Sequence, residues 1–166
     1  TMPVGTTTQN KLYLIWDYRS STSGILNKDS NYVDACCPAT PIGPTIACGA
    51  ANSYSGGSVF PQTSNITLGA TLGGVLLDFN IIEVPSKVIV KFDGVEVINT
   101  GYRGDAAQQG ALNNALAGRG LPSETIVGGG VGTGTFTKST ATTFATVEVY
   151  SPLKNNSWST TLNCPT

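Results

Sequence analysis

The sequence predicts an all-β protein, a jelly-roll-like β-sandwich with one short helical insertion, preceded by a small extended N-terminal module. Three observations lead to this class. Short runs that alternate apolar and polar residues recur from Asn65 onward, separated by Gly, Pro, Asn and Ser. Two of those runs are joined by Asp93-Gly94, and Asp-Gly is a strong hairpin signal because a type I′ turn needs positive φ at both central positions. One stretch, Ala106 to Leu116, repeats its apolar residues at helical spacing. The 166 residues suffice for one domain with a real core, or for one domain and a small module.

In chain order, Thr1 to Asn10 is polar and has neither a basic stretch nor an apolar run, so it does not read as a signal peptide. Lys11 to Tyr18 is a strand by its aromatic and β-branched content, with Leu12, Leu14 and Trp16 on one face and Tyr13, Ile15 and Asp17 on the other. Apolar groups on both faces mean that both are covered, or that one meets another chain. Full burial of Leu12, Tyr13, Leu14, Ile15 and Trp16 is worth ~1.5 to 3 kcal/mol each, too much to leave in water. Tyr13, Ile15 and Trp16 are therefore the expected assembly residues. From Arg19 to Ser64 the chain is mostly turn-forming residues, with a short strand expected near Tyr32 to Cys36. Residues 1–64 are read as a loop-rich β module or assembly arm, and residues 65–166 as the sandwich.

Within the sandwich, strands are expected at Ile66 to Ala70, Val75 to Ile82, Lys87 to Phe92, Val95 to Asn99, Gly132 to Lys138, Ala145 to Tyr150 and Trp158 to Asn163. Pro85 stops one of them, because proline cannot donate to a ladder. Asp105 is a good N-cap for the helix, which would bury Ala107, Ala111, Leu112, Ala115 and Leu116 and end at Gly118. Val127 to Thr135 is a glycine-rich run leading into a strand.

Composition excludes several functions. Charged residues are 11% of the chain, against ~25% in an average soluble protein, and Gly, Thr, Ser and Asn supply 68 residues. With nine Lys and Arg against ten Asp and Glu, no basic block exists to bind nucleic acid. The most apolar run, Leu68 to Ile82, is broken by Gly69, Gly73, Gly74 and Asp78, which argues against membrane insertion. The chain has no histidine, the commonest general base and metal ligand, so composition argues against an enzyme. Asp78, Glu83, Glu96 and Glu148 fall on expected strands and Asp17, Asp34, Asp93 and Asp105 at turns or caps, with no recognisable carboxylate pair among them. The glycines at Gly128 to Gly134 lack the Gly-Lys-Ser/Thr ending of a phosphate loop.

Cys36, Cys37, Cys48 and Cys164 have no zinc-site spacing, and neither catalysis nor a metal is assigned to any residue. In an oxidising compartment Cys48 could pair with one of the vicinal cysteines and Cys164 could staple the C-terminal segment back onto the N-terminal module; reduced thiols are the other reading. Val97 to Asp105 is the most informative stretch. It gathers Tyr102, a stacking surface, Arg103, a fork-shaped donor, and Asp105, a carboxylate, on what reads as one loop, and these are the candidate binding residues. Each also has a local job available: Asn99 and Gly101 make the turn, Asp105 caps the helix and Arg103 neutralises it.

The segment Gly74 to Gly104 resembles a β-sandwich domain of bacteriophage virion proteins and of some bacterial surface proteins, whose pattern runs strand, Pro-Asp, strand, Asp-Gly, strand, Asp-Thr-Gly. Gly132 to Lys138, Ala145 to Leu153 and Trp158 to Cys164 also fit such domains, and Tyr13 to Arg19 followed by Val33 to Cys37 is similar to the N-terminal parts of short structural proteins in phages of Bacteroidetes-type hosts. The resemblance implies a non-enzymatic virion protein of a fibre, tail tip or capsid decoration. Its partners would be other copies or neighbouring virion subunits, with a host surface glycan as a further ligand, and its location the virion. Ser86 and Asn99 stand where the pattern carries Asp, so a Ca2+ ion is not supported here and no cofactor is expected. Sheet edges, a Thr/Ser/Asn-rich surface and glycine loops suit tight assembly with few charges. The alternatives are a secreted or cell-surface carbohydrate-binding module, marked by exposed aromatics on one sandwich face, and a bacterial surface-filament subunit.

Overall fold

The computed structural model describes residues 43–166 in full and, ahead of them, the backbone of two strands at 11–19 and 26–34. The chain divides into two compact units, Thr1–Thr40 and Pro41–Thr166. In the first, β1 (Lys11–Arg19) and β2 (Leu26–Asp34) form an antiparallel pair running without a bulge from Lys11 opposite Asp34 to Arg19 opposite Leu26. The strand expected at Lys11 to Tyr18 is thus present. The short strand expected near Tyr32 to Cys36 overlaps the end of β2, and the stretch before it, read from its Asn, Asp and Ser as turn-forming, is strand as well, because strand formation follows the pairing context more than intrinsic preference.

The second unit holds β3 (Thr45–Ala47), β4 (Ala51–Gly56), β5 (Val59–Thr67), β6 (Gly73–Ile81), β7 (Ser86–Phe92) and β8 (Val95–Arg103). A 3-10 turn at Ala106–Gln108 then leads into α1 (Gln109–Ala117), followed by β9 (Ile126–Gly128), β10 (Val131–Lys138), β11 (Phe144–Ser151) and β12 (Asn156–Leu162). One sheet has the order β10-β6-β12-β4 and the other β3-β5-β11-β7-β8-β9. Setting aside the three-residue edge strands β3 and β9, which lie parallel to their neighbours, eight antiparallel strands remain. Counted along the chain, the first, eighth, third and sixth share one sheet and the second, seventh, fourth and fifth the other. This alternation is the jelly-roll order. The boundary expected at 64/65 falls inside β5, and β3 and β4 belong to the two sheets of the sandwich.

Alternation in the long strands builds the core. Val75, Leu77, Phe79 and Ile81 of β6 face Val88 and Val90 of β7 and Val147 and Val149 of β11, all buried. Trp158 of β12 is 1% exposed and stacks on Tyr54 of β4 with ring centroids 6.0 Å apart. The glycines of β10 match this packing: a Cβ on Gly132 would lie 2.6 Å from the Phe79 ring and one on Gly134 2.8 Å from Ile98, so the strand is thinned where its neighbours are large. Asn52 of β4 donates its amide to Ser64 Oγ of β5 at 3.1 Å, satisfying two buried polar groups that would otherwise be costly.

The hairpin forms as expected, with Phe92 opposite Val95 and φ of 51° at Asp93 and 76° at Gly94. Asp105 caps the 3-10 turn, accepting from the Ala107 amide at 2.9 Å, and α1 ends at Gly118. Only Leu112 and Leu116 of the expected helix face are buried; with Phe60, Tyr102, Ile126 and Tyr150 they form a second, smaller core on the outer side of the six-stranded sheet.

Two contacts tie loops across the fold. Cys48, in the turn between β3 and β4, is disulfide-bonded to Cys164 with Cα atoms 4.9 Å apart, while Cys36 and Cys37 lie outside the described residues. Asp93 accepts hydrogen bonds from Thr140 at 2.6 Å and from Thr142, joining the hairpin to the β10–β11 turn. These bonds, Thr140 first, hold the Asp93 carboxyl below its ordinary 3.8.

A double Cys48→Ser, Cys164→Ser variant is expected to lose about 2–5 kcal/mol in denaturant unfolding, since the bond closes a long loop in the unfolded chain. For Asp93 the folded-state pKa is the lower one, so its contribution to stability is complete above pH 3.8 and disappears as the pH falls through the folded value. Asp93→Asn should therefore lower the urea midpoint near neutral pH and converge on the parent protein as the pH is taken well below 3.8.

Candidate functional site

The three candidate binding residues do not converge. β8 runs on through Arg103, past the end expected at Asn99, with Gly101 at φ 62° absorbing an irregularity in the register. Tyr102 and Arg103 therefore lie on a strand, and consecutive strand residues point to opposite faces of a sheet. Tyr102 has no exposed surface. Its ring is packed under α1 against Leu112 and Leu116, the Lys87 ammonium sits 4.9 Å from its centroid, and burial pushes its hydroxyl pKa upward. Arg103 turns the other way. Its Nε donates to the Thr100 carbonyl at 3.0 Å and its guanidinium lies 5.9 Å from the Phe79 ring centroid. Asp105 is exposed and spends its carboxylate on the Ala107 amide. A ligand cannot stack on the Tyr102 ring while that ring is buried; Asp105 serves as the cap that was expected, whereas Arg103 turns to the Thr100 carbonyl instead of pairing with Asp105.

Asn99 and Ser86, which stand at the acidic positions of the sequence pattern, are also occupied locally. Asn99 accepts from the Gly101 amide at 3.0 Å, and buried Ser86 hydrogen-bonds to Ser151 and donates to the Val84 carbonyl at 3.2 Å. Among the described residues, no group of three or more His, Cys, Asp or Glu side chains is placed to hold a metal ion. Tyr13, Ile15 and Trp16 lie on β1, opposite Tyr32, Ser30 and Asp29, and their side chains lie outside the described residues.

The two outer faces of the sandwich differ in what covers them. On the six-stranded sheet, α1 covers one end, and charged pairs follow: Lys87 with Glu124 at 2.7 Å and Lys91 with Glu148 at 2.7 Å. Glu148 also accepts from the Tyr150 hydroxyl at 2.7 Å, and burial, then this bond, pushes that hydroxyl up to about 12.

The outer face of the four-stranded sheet carries instead the polar half of each alternating strand. Its rows follow from the register: Thr133, Asp78, Thr161 and Ala51 lie side by side across β10, β6, β12 and β4, and Val131, Asn80, Ser159 and Ser53 form the next row. Thr135 and Leu76 begin a third row. Among the outward residues of these four strands Asp78 is the one charge.

Between β10, β6 and β12 this face holds a groove of about 270 Å3, lined by Asp78, Asn80, Val131, Thr133, Ser159 and Thr161 with the backbone of Phe79 and Gly132. Asn163 donates its amide to Asp78 Oδ2 at 2.7 Å and to the Leu76 carbonyl at 3.2 Å, which fixes the carboxylate at the rim. Val131 is 75% exposed. The lining offers a carboxylate acceptor, an amide that both donates and accepts, and three hydroxyls that do the same, beside one bare aliphatic side chain. Each of these residues is the polar member of an alternating run, but their assembly into one groove depends on the strand register, which no single run discloses. Comparison with protein-family models, curated proteins and solved structures returned no match, so the functional reading rests on strand order and side-chain geometry.

The buried Tyr102 hydroxyl has no hydrogen-bond partner among the described residues. Tyr102→Phe removes that unpaired group and should leave stability unchanged or raise it by up to about 1–3 kcal/mol. Tyr102→Ala should cost about 3–5 kcal/mol, as for other large aromatic truncations, with equilibrium denaturation as the measurement.

Proposed function

We propose that the chain is a non-enzymatic structural and adhesion subunit of a virion, part of a fibre, tail tip or capsid decoration, and that it works assembled with copies of itself or neighbouring subunits. The observation that carries this reading is the first unit. β1 and β2 make a two-stranded pair, an arrangement with marginal stability alone, and β1 is built from the apolar run Leu12 to Trp16. Such a strand needs cover on both faces, and a neighbouring subunit is a natural source of it.

Three further features support the proposal. The jelly-roll order is shared by viral capsid and lectin domains, an analogy at the level of fold. A disulfide between Cys48 and Cys164 suits a protein that works outside a reducing cytosol. A surface of hydroxyls and amides with few charges can pack closely against copies of itself without unpaired ions. A carbohydrate-binding module is the second reading, favoured by the groove on the four-stranded sheet; the exposed aromatic platform expected of such a module is not found on that face, whose outward residues are Thr, Ser, Asn, Asp and aliphatics.

Light scattering on the full chain should give a multiple of 17.1 kDa, and Trp16→Ser should shift the mass toward a single copy. Trp158 is buried in the sandwich and supplies a fixed background, so the fluorescence lost in Trp16→Phe reports the surroundings of Trp16. A single-copy mass at high concentration, with Trp16 emission typical of water, would refute assembly and leave the carbohydrate-binding module as the better account.

A further inference from the structure

We infer that the groove between β10, β6 and β12 is a subsite for an uncharged saccharide, an inference that gives the proposed adhesion role its ligand class and its location. Its volume of about 270 Å3 falls just under the ~300 to 1,000 Å3 of sites for drug-sized ligands, which fits one or two sugar rings rather than a long chain.

The chemistry of the lining matches a sugar more closely than other ligands. Neighbouring hydroxyls on a pyranose each donate and accept one hydrogen bond or more. A carboxylate can accept a hydrogen bond from one hydroxyl while a neighbouring amide donates one to the next, and Asp78 and Asn80, two residues apart on β6, stand side by side on this face. Asn163 holds Asp78 through Oδ2, so the carboxylate is oriented before any ligand arrives. Ser159 and Thr161 on β12 and Thr133 on β10 add hydroxyls on both flanks, and Val131 offers an apolar surface for the C–H face of a ring.

Charge narrows the class. No Lys or Arg lines the groove, and the carboxylate at its rim repels sialic acids, uronic acids, sulfated sugars and phosphate. A cationic peptide would find a single carboxylate already shared with Asn163. Without an aromatic platform each site binds weakly, so useful attachment depends on many copies acting together, which can raise avidity by ~10²–10⁴. This ties the groove to the assembly proposed above.

The test is an NMR titration of the 15N-labelled full chain with neutral monosaccharides and disaccharides, and in parallel with N-acetylneuraminic and glucuronic acids. Shifts are expected at Asp78 to Asn80, Val131 to Thr133 and Ser159 to Thr161, with neutral sugars only. Asp78→Asn, which keeps the shape of the side chain, should weaken binding by at least about tenfold, the effect of losing a charge-assisted hydrogen bond. Thr137→Ala, on the same face but outside the groove, should leave it unchanged. The inference is overturned by any of four results: no shift in these residues up to about 50 mM sugar, equal binding by Asp78→Asn, equal response to the acidic sugars, or shifts that follow protein concentration rather than sugar. Light scattering on the same samples separates the two claims. An oligomer that ignores sugar retains the assembly reading and loses the groove; a single-copy protein that binds sugar does the reverse.

Discussion

The insertion of β12 between β4 and β6 is the constraint on which the rest of the sandwich depends. β12 pairs with β4 through Asn156 opposite Gly56 to Thr161 opposite Ala51, and with β6 through Trp158 opposite Ile81 to Leu162 opposite Leu77. Remove it and β4 has no neighbour, Tyr54 loses the ring it stacks on, and the groove loses the wall carrying Ser159 and Thr161. The chain beyond β12 continues the same attachment: the Asn163 amide donates to the Leu76 carbonyl at 2.8 Å, and Gly74 and Thr166 exchange two backbone bonds at 3.0 Å. Almost all of this pairing joins segments far apart in sequence, so folding must close long loops before the core rewards them, and a jelly roll is expected to fold slowly compared with a helical protein of its size. Within the sandwich the β7–β8 hairpin, closed by Asp93 and Gly94, is the local exception among the long neighbouring strands.

What was legible in the sequence was whatever is encoded within one strand. Val88, Val90 and Phe92 announced an inward face by alternation alone, and Asp93-Gly94 announced its turn by the positive φ that the two residues tolerate. Asp105 and Gly118 likewise bracketed the helix region. The strands that were not legible take their conformation from a partner. Ala51 to Gly56 has three small hydroxyl or amide residues and no apolar alternation, yet it is held straight by β12 on one side and buries Asn52 through a bond to Ser64. β2 is of the same kind. The part the glycines of β10 play was not legible either, because the space they leave is filled by Phe79 and Ile98, residues distant in sequence.

The candidate site followed the same division. Tyr102, Arg103 and Asp105 were grouped because they are adjacent in the chain, and the extension of β8 through Gly101 sends the first two to opposite faces. Asp78, Asn80, Thr133, Ser159 and Thr161 looked unremarkable as the solvent-facing members of separate strands, and become neighbours only through registers that span 55 to 83 positions of sequence. The asymmetry of the sandwich also escapes a reading by strands. One outer face is closed by α1 and by paired charges, while the other is an open lattice of short hydroxyl and amide side chains around one carboxylate.

The disulfide has a mechanical meaning as well. A pull applied between the N-terminal hairpin and Thr166 is transmitted from Cys48 directly to Cys164, which bypasses the 116 positions of sequence separating them. Under tension the sandwich then carries load without paying it out as slack. Cutting the bond would free about 400 Å of extended chain, so a subunit exposed to shear while attached at both ends would change from an inextensible link to a compliant tether.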